Sequence, residues 1–555
     1  MKQMKKVLGV FLTAIVASLG FTSCYKDIGG YDYNEINSLK ISTDMTGADP
    51  NIFITADSID LHQNDSLKVK LKIEQSSGAA ENFSYQWLLT QYDQSSGNPS
   101  KNLLDSSATL KTKITLAPNL YKLVAKVTDK STGVSYYKHF ALNVSTADWG
   151  GEGWVVLQSE PDGSDISVIT TRDGSVKGKV YHDIYSIVNG HKLPVGTYKA
   201  NVINYGTTLR AQKISFFYPN GALQVRNTDF ADSTKGEYWF AVNPGAANFQ
   251  VNGSAGGSSA GWEYTIVNDQ IAYRQFASAA HLINAPLFFP PYAGLSVSPY
   301  VINAAASDQY YTLYDKANRG FVIFNASTSS FVNIPAYAAA ATNLNPTTGQ
   351  GFDMKNMADN MIYAENAQPL TTAGTNWNCF FRNDAGTKTY LVQFPRGISY
   401  ANNFTTGRFQ LTEANCPGIN TATQFACPTY LTMPKGVFYY VNGNKVYTCK
   451  VNTVATSTAR ADVGGLIFPT GTVIKAMKIF NSGYTAANIT ALNVPEGKVL
   501  VVATDETASG GGNNVYFFNL NPTTGDILGS PTSPADVYRG FNTIKDIVFK
   551  KGLGR

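Results

Sequence analysis

Charged side chains are few in this sequence. Asp, Glu, Lys and Arg make up 15% of its 555 residues, where roughly a quarter is usual. So low a density excludes a disordered polyelectrolyte and a solvated helical rod. The formal net charge is +5, and Lys2, Lys5 and Lys6 belong to an N-terminal leader described below. No basic surface remains that would suit a nucleic-acid partner. Histidine is equally sparse, at five (His62, His139, His182, His191 and His281), all remote in sequence from the late cysteines. Zinc wants closely spaced ligands, so no metal and no cofactor is expected. Asp162-Gly163-Ser164-Asp165 and Asp384-Ala385-Gly386 could suggest calcium. They suit hairpin turns better, because Asp and Gly take the backbone angles that turns need. Beyond residue 21 no run is apolar and long enough for a membrane-spanning helix. Catalytic motifs are missing too: there is no metalloprotease histidine pair, no phosphate loop between strand and helix, and no nucleophile elbow.

What is present begins with the leader. Lys2, Lys5 and Lys6 precede an apolar run from Val7 to Phe21, and Thr22 and Ser23 follow it. A positive start, an apolar middle and small residues before a cut make a secretory signal. The run is shorter than the ~20 residues of a spanning helix. Cys24 then stands where the lipidated first residue of a mature bacterial lipoprotein would stand. Residues 1–23 are read as the signal peptide, and lipid on Cys24 as the membrane anchor. Residues 24–48 are polar and glycine-bearing and read as a tether, although Leu39-Lys40-Ile41 already alternates.

Aromatic residues are plentiful, at 12% of the chain with 32 Tyr and 30 Phe, beside 48 Gly. Short strands joined by tight turns follow from that mixture, and the expected fold class is all-β. Over residues 49–146, Ser66–Ile73, Phe83–Leu89 and Tyr121–Asp129 alternate apolar and polar positions. One face of each is therefore buried. Strands at this spacing around Trp87, with Tyr121 late, fit an immunoglobulin-like β-sandwich in which both rings are core anchors.

Residues 147–555 change texture. Aromatic or β-branched strands recur beside Gly, Asn and Asp turns, as in Trp154–Leu157, Tyr311–Tyr314, Gly320–Phe324, Thr389–Phe394 and Val499–Ala503. The clearest hairpin joins Val437–Val441 to Lys445–Cys449 through Asn442-Gly443-Asn444. Four-stranded units of roughly 40–50 residues point to a β-propeller-like domain of about seven or eight blades. A pair of large sandwiches is the alternative. Ile544–Phe549 is strand-like and is expected beside Trp154, since a closed ring leaves no exposed strand edge.

Pro286-Leu287-Phe288-Phe289-Pro290-Pro291-Tyr292 is the leading candidate for ligand contact. Prolines keep such a segment out of a central strand. Phe288, Phe289 and Tyr292 could form a platform for sugar rings or peptide side chains, or could fold back over the propeller edge. Cys379, Cys416, Cys427 and Cys449 all fall late in the chain. An oxidising compartment permits a Cys416–Cys427 bridge; buried free thiols are the alternative, and spacing does not decide between them.

Several stretches carry a family likeness. Cys24-Tyr25-Lys26-Asp27-Ile28-Gly29-Gly30-Tyr31-Asp32-Tyr33-Asn34-Glu35-Ile36-Asn37 resembles the start of the PKD-like family lipoproteins of Bacteroidota-type bacteria. Val127–Tyr136, Gly153–Leu157 and the stretch from Gly540 to Lys550 are similar to that family as well. The resemblance implies an outer-membrane, surface-exposed lipoprotein of a Sus-like nutrient-uptake system. Lys26-Asp27 resembles a surface-export signal, though with fewer acidic residues than the fuller pattern. The loop after Trp87 (Leu88-Leu89-Thr90) departs from better-known PKD domains, which favours a spacer role for the sandwich.

The expectation is thus a non-catalytic accessory lipoprotein whose propeller binds a glycan or peptide, or docks on a transporter complex. Two rivals stand beside it. One is a propeller-type glycoside hydrolase or lyase, whose paired carboxylates would come from distant blades. The other is a purely structural subunit of the transporter complex.

Overall fold

The computed structural model describes residues 37–551 apart from 45–51, 64, 77–81, 92–101, 146–147, 172–177, 205–211, 243–248, 257–261, 276–286, 290, 304–309, 335–349, 368–375, 396–403, 429–432, 435, 452–456, 485–488 and 491–493. Cys24 and the leader lie outside the described residues. The chain divides into two compact units, Met1–Ser145 and Thr146–Arg555. No described helix is long and apolar enough to cross a membrane.

The first unit is a two-sheet sandwich. Its smaller sheet has the order Leu39–Asp44, Ser66–Gln75, Thr109–Lys113. The larger has the order Phe53–Ile54, Ser58–His62, Ser135–Ser145, Asn119–Asp129, Phe83–Gln91, Asn102–Asp105. Alternation in Ser66–Gln75 places Leu67 and Val69 inside and Ser66, Lys68 and Lys70 outside, as a half-buried strand requires. Trp87 is fully buried, stacks on Phe140 at 6.4 Å between ring centroids and donates its indole N–H to the Ser107 carbonyl at 3.0 Å. The Tyr121 hydroxyl donates to the Ala117 carbonyl at 2.8 Å, so both anchors bury their rings and satisfy their polar tips. One boundary moves. The tether expected to reach residue 48 already contains a strand at Leu39–Asp44, paired antiparallel with Ser66–Gln75.

The second unit contains seven antiparallel sheets among the described residues. Blade 1 is Gly153–Glu160, Gly163–Thr170 and Val180–Tyr181, completed by Thr543–Lys550. Blade 2 runs from Lys199–Asn204 to Asp232–Lys235, and blade 3 is Val251–Gly256, Trp262–Val267 and Gln270–Gln275. Blade 4 runs from Ile302–Asn303 to Ser330–Val332. Blade 5 runs from Asn360–Ala367 to Phe404–Leu411, with Gln350–Phe352 added at its outer edge. Blade 6 runs from Phe425–Ala426 to Ser457–Arg460, and blade 7 from Val473–Ile479 to Asp536–Phe541.

The packing between sheets decides between a ring and two sandwiches. Each buried apolar cluster of this unit is shared by two successive blades. Val155 and Val168 of blade 1 pack with Ile214 and Phe216 of blade 2, and Phe217 of blade 2 packs with Val267 and Ala272 of blade 3. The series continues through blades 3 and 4, 4 and 5, 5 and 6, and 6 and 7. The last cluster joins Val501 and Phe517 of blade 7 to Trp154 and Ile169 of blade 1. Seven interfaces for seven sheets form a closed β-propeller.

Closure itself is made by Thr543–Lys550, which pairs antiparallel with Gly153–Glu160 and sets Phe549 opposite Trp154. Trp154 also meets Phe480 at 5.6 Å and Phe517 at 5.8 Å between centroids. Thr543–Lys550 lies beside Lys199–Asn204 and Val473–Ile479, and Lys199–Asn204 lies beside Val251–Gly256. These strands therefore form the inner wall around the propeller axis. The expected hairpin is present, with Asn442 paired to Lys445 and Gly443 at φ +59°. That angle is open to glycine at no steric cost.

Candidate functional site

Blade 3 has three strands among the described residues, and the aromatic segment bonds along its edge. The Phe289 N–H donates to the Tyr273 carbonyl at 3.0 Å, and the Tyr292 N–H to the Ile271 carbonyl at 2.8 Å. On the other side Phe288 exchanges backbone bonds with Trp239 and Ala241. The two readings of this segment therefore divide by residue, since neighbours on an extended chain point to opposite sides. Phe288 is fully buried between blades 2 and 3, under Phe240 at 5.5 Å and the Arg274 guanidinium at 4.5 Å. Its place in an exposed platform is corrected: it is a core residue. Phe289 is 53% exposed. Tyr292 is partly buried, with its ring 5.6 Å from Phe324 and 5.1 Å from Phe331.

Phe331 opens onto a cleft of about 410 Å³ at blade 4, which sequence reasoning missed. Leu295, Phe321, Val322 and Ile334 give it an apolar floor, and Asp315, Asn318, Asn333 and Lys355 give it polar edges. Asp315 is held by the Ser296 and Ala317 amides at 3.2 and 3.1 Å and by the Asn318 side chain at 2.6 Å. The Lys355 ammonium donates to the Ile334 carbonyl at 3.2 Å. Phe331 keeps 38% of its surface exposed. These residues come from strands of blade 4 and from the segments on either side of it, so no local spacing announces them.

A second group of polar residues lies on the inner wall. The Glu365 carboxylate accepts from the Cys427 N–H at 2.8 Å and the Tyr363 hydroxyl at 2.9 Å, which links blades 5 and 6. Lys478 of blade 7 sits 3.6 Å from Asp546 of blade 1. Asp546 in turn accepts from the Ala200 N–H of blade 2 at 3.3 Å. Lys199 of blade 2 donates to the Asn252 carbonyl of blade 3 at 3.4 Å. Burial pushes the Glu365 carboxyl up to about 7, against the pull of its two hydrogen bonds and of Lys478. Burial, and then the charge of Lys478, holds Lys199 below the usual lysine range.

Two other charged groups are structural. Glu263 lies between Lys213, at 2.8 Å, and Arg274, all three buried between blades 2 and 3. Burial pushes Glu263 up, but the two cations outweigh it and hold the carboxyl below its ordinary value. Glu160, Asp165 and Asp183 gather their oxygens within 4.8 Å. The Lys192 ammonium is already 2.5 Å from Glu160, and the Ile166 and Tyr185 amides bond to Asp165.

The Cys416–Cys427 pairing is also corrected. All four described cysteines are buried free thiols. Cys427 follows the inner strand of blade 6 and receives the Asn378 amide at 3.6 Å. Cys416 lies at the outer edge, where the Ala459 N–H donates to the carbonyl of its neighbour Asn415. The width of the sheet separates them, and the sulfur near Cys416 is that of Cys449, at 3.7 Å.

Residues 24–196 match the PKD-like family. That span covers the sandwich and the opening of blade 1, and the wider lipoprotein resemblance goes beyond it. No curated protein matches the chain. Among solved structures, a quinonprotein alcohol dehydrogenase-like protein from Bacteroides thetaiotaomicron is 12% identical, covering 92% of this chain and 99% of its own, with a TM-score of 0.41. Apo AztD from Citrobacter koseri is 10% identical over 85% of this chain and 99% of its own, with a TM-score of 0.30. Hsv2 of Kluyveromyces lactis is 6% identical over 58% and 75%, with a TM-score of 0.27. The propeller rests on the chain's own closed ring of sheets.

Proposed function

We propose that this protein is a lipid-anchored outer-membrane subunit that holds a glycan nutrient for a Sus-like uptake system without turning it over. The observation that carries the reading is the accessible Phe331 ring, backed by Tyr292, at the mouth of the blade 4 cleft. An apolar floor with a few convergent polar groups is the usual make-up of a small-molecule site. A sugar ring can lay its C–H face on Phe331 and turn its hydroxyls to Asn318, Asn333 and Lys355. The leader, Cys24 and a family match that begins at Cys24 support the anchor. Glycan and peptide arrays probed with the purified chain test the ligand. Phe331→Ala and Tyr292→Ala are each expected to weaken glycan binding about tenfold. Retention of peptides and no glycan would overturn the glycan reading. Metabolic labelling with a fatty-acid analogue, lost in Cys24→Ser, tests the anchor.

A second reading has its own observation. Glu365 is a carboxyl held near neutrality on the inner wall, and Asp546 lies on the same wall. An acid poised in this way is a feature of glycoside hydrolysis. Release of reducing ends by the purified chain, lost in Glu365→Gln, would favour an enzyme.

A further inference from the structure

On the inner wall a buried amide nitrogen without an acceptor lies on the same strand as a lysine without an ion pair among the described residues. Lys199 and Asn201 are two apart on the inner strand of blade 2, so their side chains share a face. The Lys199 ammonium has the Asn252 carbonyl at 3.4 Å and no carboxylate within ion-pair distance among the described residues. The Asn201 amide nitrogen is buried and has no hydrogen-bond partner among the described residues. A buried donor left without an acceptor is costly, and native proteins seldom keep one without a reason. Lys478 adds a second ammonium to the same neighbourhood, and it is near enough for its charge to act on Lys199. Asp546 is 3.6 Å from Lys478 and is also bonded to the Ala200 amide. Two cations thus share one committed carboxylate, beside an amide nitrogen whose protons have no acceptor among the described residues.

We propose that Lys199 and Asn201, with Lys478 behind them, form a binding site for a small anion on the inner wall of the propeller. A carboxylate or a tetrahedral oxyanion fits, because each supplies only acceptors and carries the missing negative charge. The anion would accept from the Asn201 amide and the Lys199 ammonium and relieve the repulsion between the two lysines. Two sources share this chemistry: the carboxylate of an acidic sugar, and free inorganic phosphate or sulfate. The site is separate from the blade 4 cleft and does not depend on the glycan reading. It differs as well from a catalytic reading of the wall, because neither lysine is asked to move a proton.

Calorimetric titration of the full-length protein with glucuronate, phosphate, sulfate and neutral glucose, at constant ionic strength, tests the site. Saturable binding of at least one anion and none of glucose is expected. Glucuronate alone would identify an acidic sugar, and phosphate or sulfate alone a free oxyanion. Lys199→Gln should weaken binding at least tenfold, Lys199→Arg should retain most of it, and Asn201→Leu should weaken it while leaving the charge intact. Thermal melts of each variant without ligand separate loss of binding from loss of fold. Heats from the anions no larger than those from glucose would overturn the proposal. So would equal affinity in a folded Lys199→Gln protein.

Discussion

At the scale of single residues, buried charge makes the firmest predictions. Glu263 is the counter-ion of both Lys213 and Arg274. Glu263→Gln would leave two uncompensated cations between blades 2 and 3. A loss of about 3–5 kcal/mol is expected, read as a lower midpoint in chemical denaturation. Glu365 makes a prediction with a sign. Its folded value is raised to about 7 from 4.5, so the folded state holds the proton more tightly than the unfolded chain. Its contribution is most favourable below about pH 4.5, declines as pH rises toward about 7, and is flat above. The decline should amount to roughly 1–3 kcal/mol, allowing for water on the wall side, and should be absent in Glu365→Gln. Trp87 and Tyr121 were legible in the sequence because alternation marked their strands and their size marked the core. Phe288 and Phe289 were not separable, since two adjacent identical residues give no sign of which one faces inward. The partners of Cys416 were hidden for a related reason. Similar local settings at Cys416 and Cys427 say nothing about their positions across a sheet.

At the scale of elements, the strand Thr543–Lys550 shows what sequence can reveal. Its apolar positions and the matching run after Gly153 announced the pairing that sets Phe549 against Trp154. Phe549 is buried among Trp154, Phe480 and the blade 7 core. Phe549→Ala should destabilise the propeller by about 3–5 kcal/mol, measured by thermal or denaturant unfolding. The unit Met1–Ser145 has its own core, with no residue of the propeller in it, and should be unaffected. The edge ribbon at 288–292 was harder to read. Its prolines argued rightly against a central strand, but an edge position leaves backbone donors free to bond on one side. Ribbon and platform were therefore compatible, and the sequence posed them as alternatives.

At the scale of the whole chain, each unit has a separate core and its own closed set of sheets. Differential scanning calorimetry should therefore resolve two transitions, and the Phe549→Ala variant should shift only one. A single transition moved as a whole would contradict independent cores. The all-β class and the propeller texture could be read from composition and turn spacing. The blade number could not be fixed. Strand lengths vary from two residues in Ile302–Asn303 to eight in Asn360–Ala367, and blade 5 carries an added outer strand. The inner-wall polar groups were invisible for a deeper reason: they are assembled by the ring from residues on blades far apart along the chain.

That closure also orders events in time. The Lys550 side chain bonds to the Gly150 carbonyl across 400 residues of sequence, and its strand completes a blade whose other strands are made first. Blade 1 must wait, with three of its four strands, while the ribosome produces the other six. A message cut short before residue 543 would yield a chain that cannot seal, with the apolar flank of Trp154 left open to proteases. Sealing of the ring thus waits on Thr543–Lys550, whatever the order in which the other blades pack.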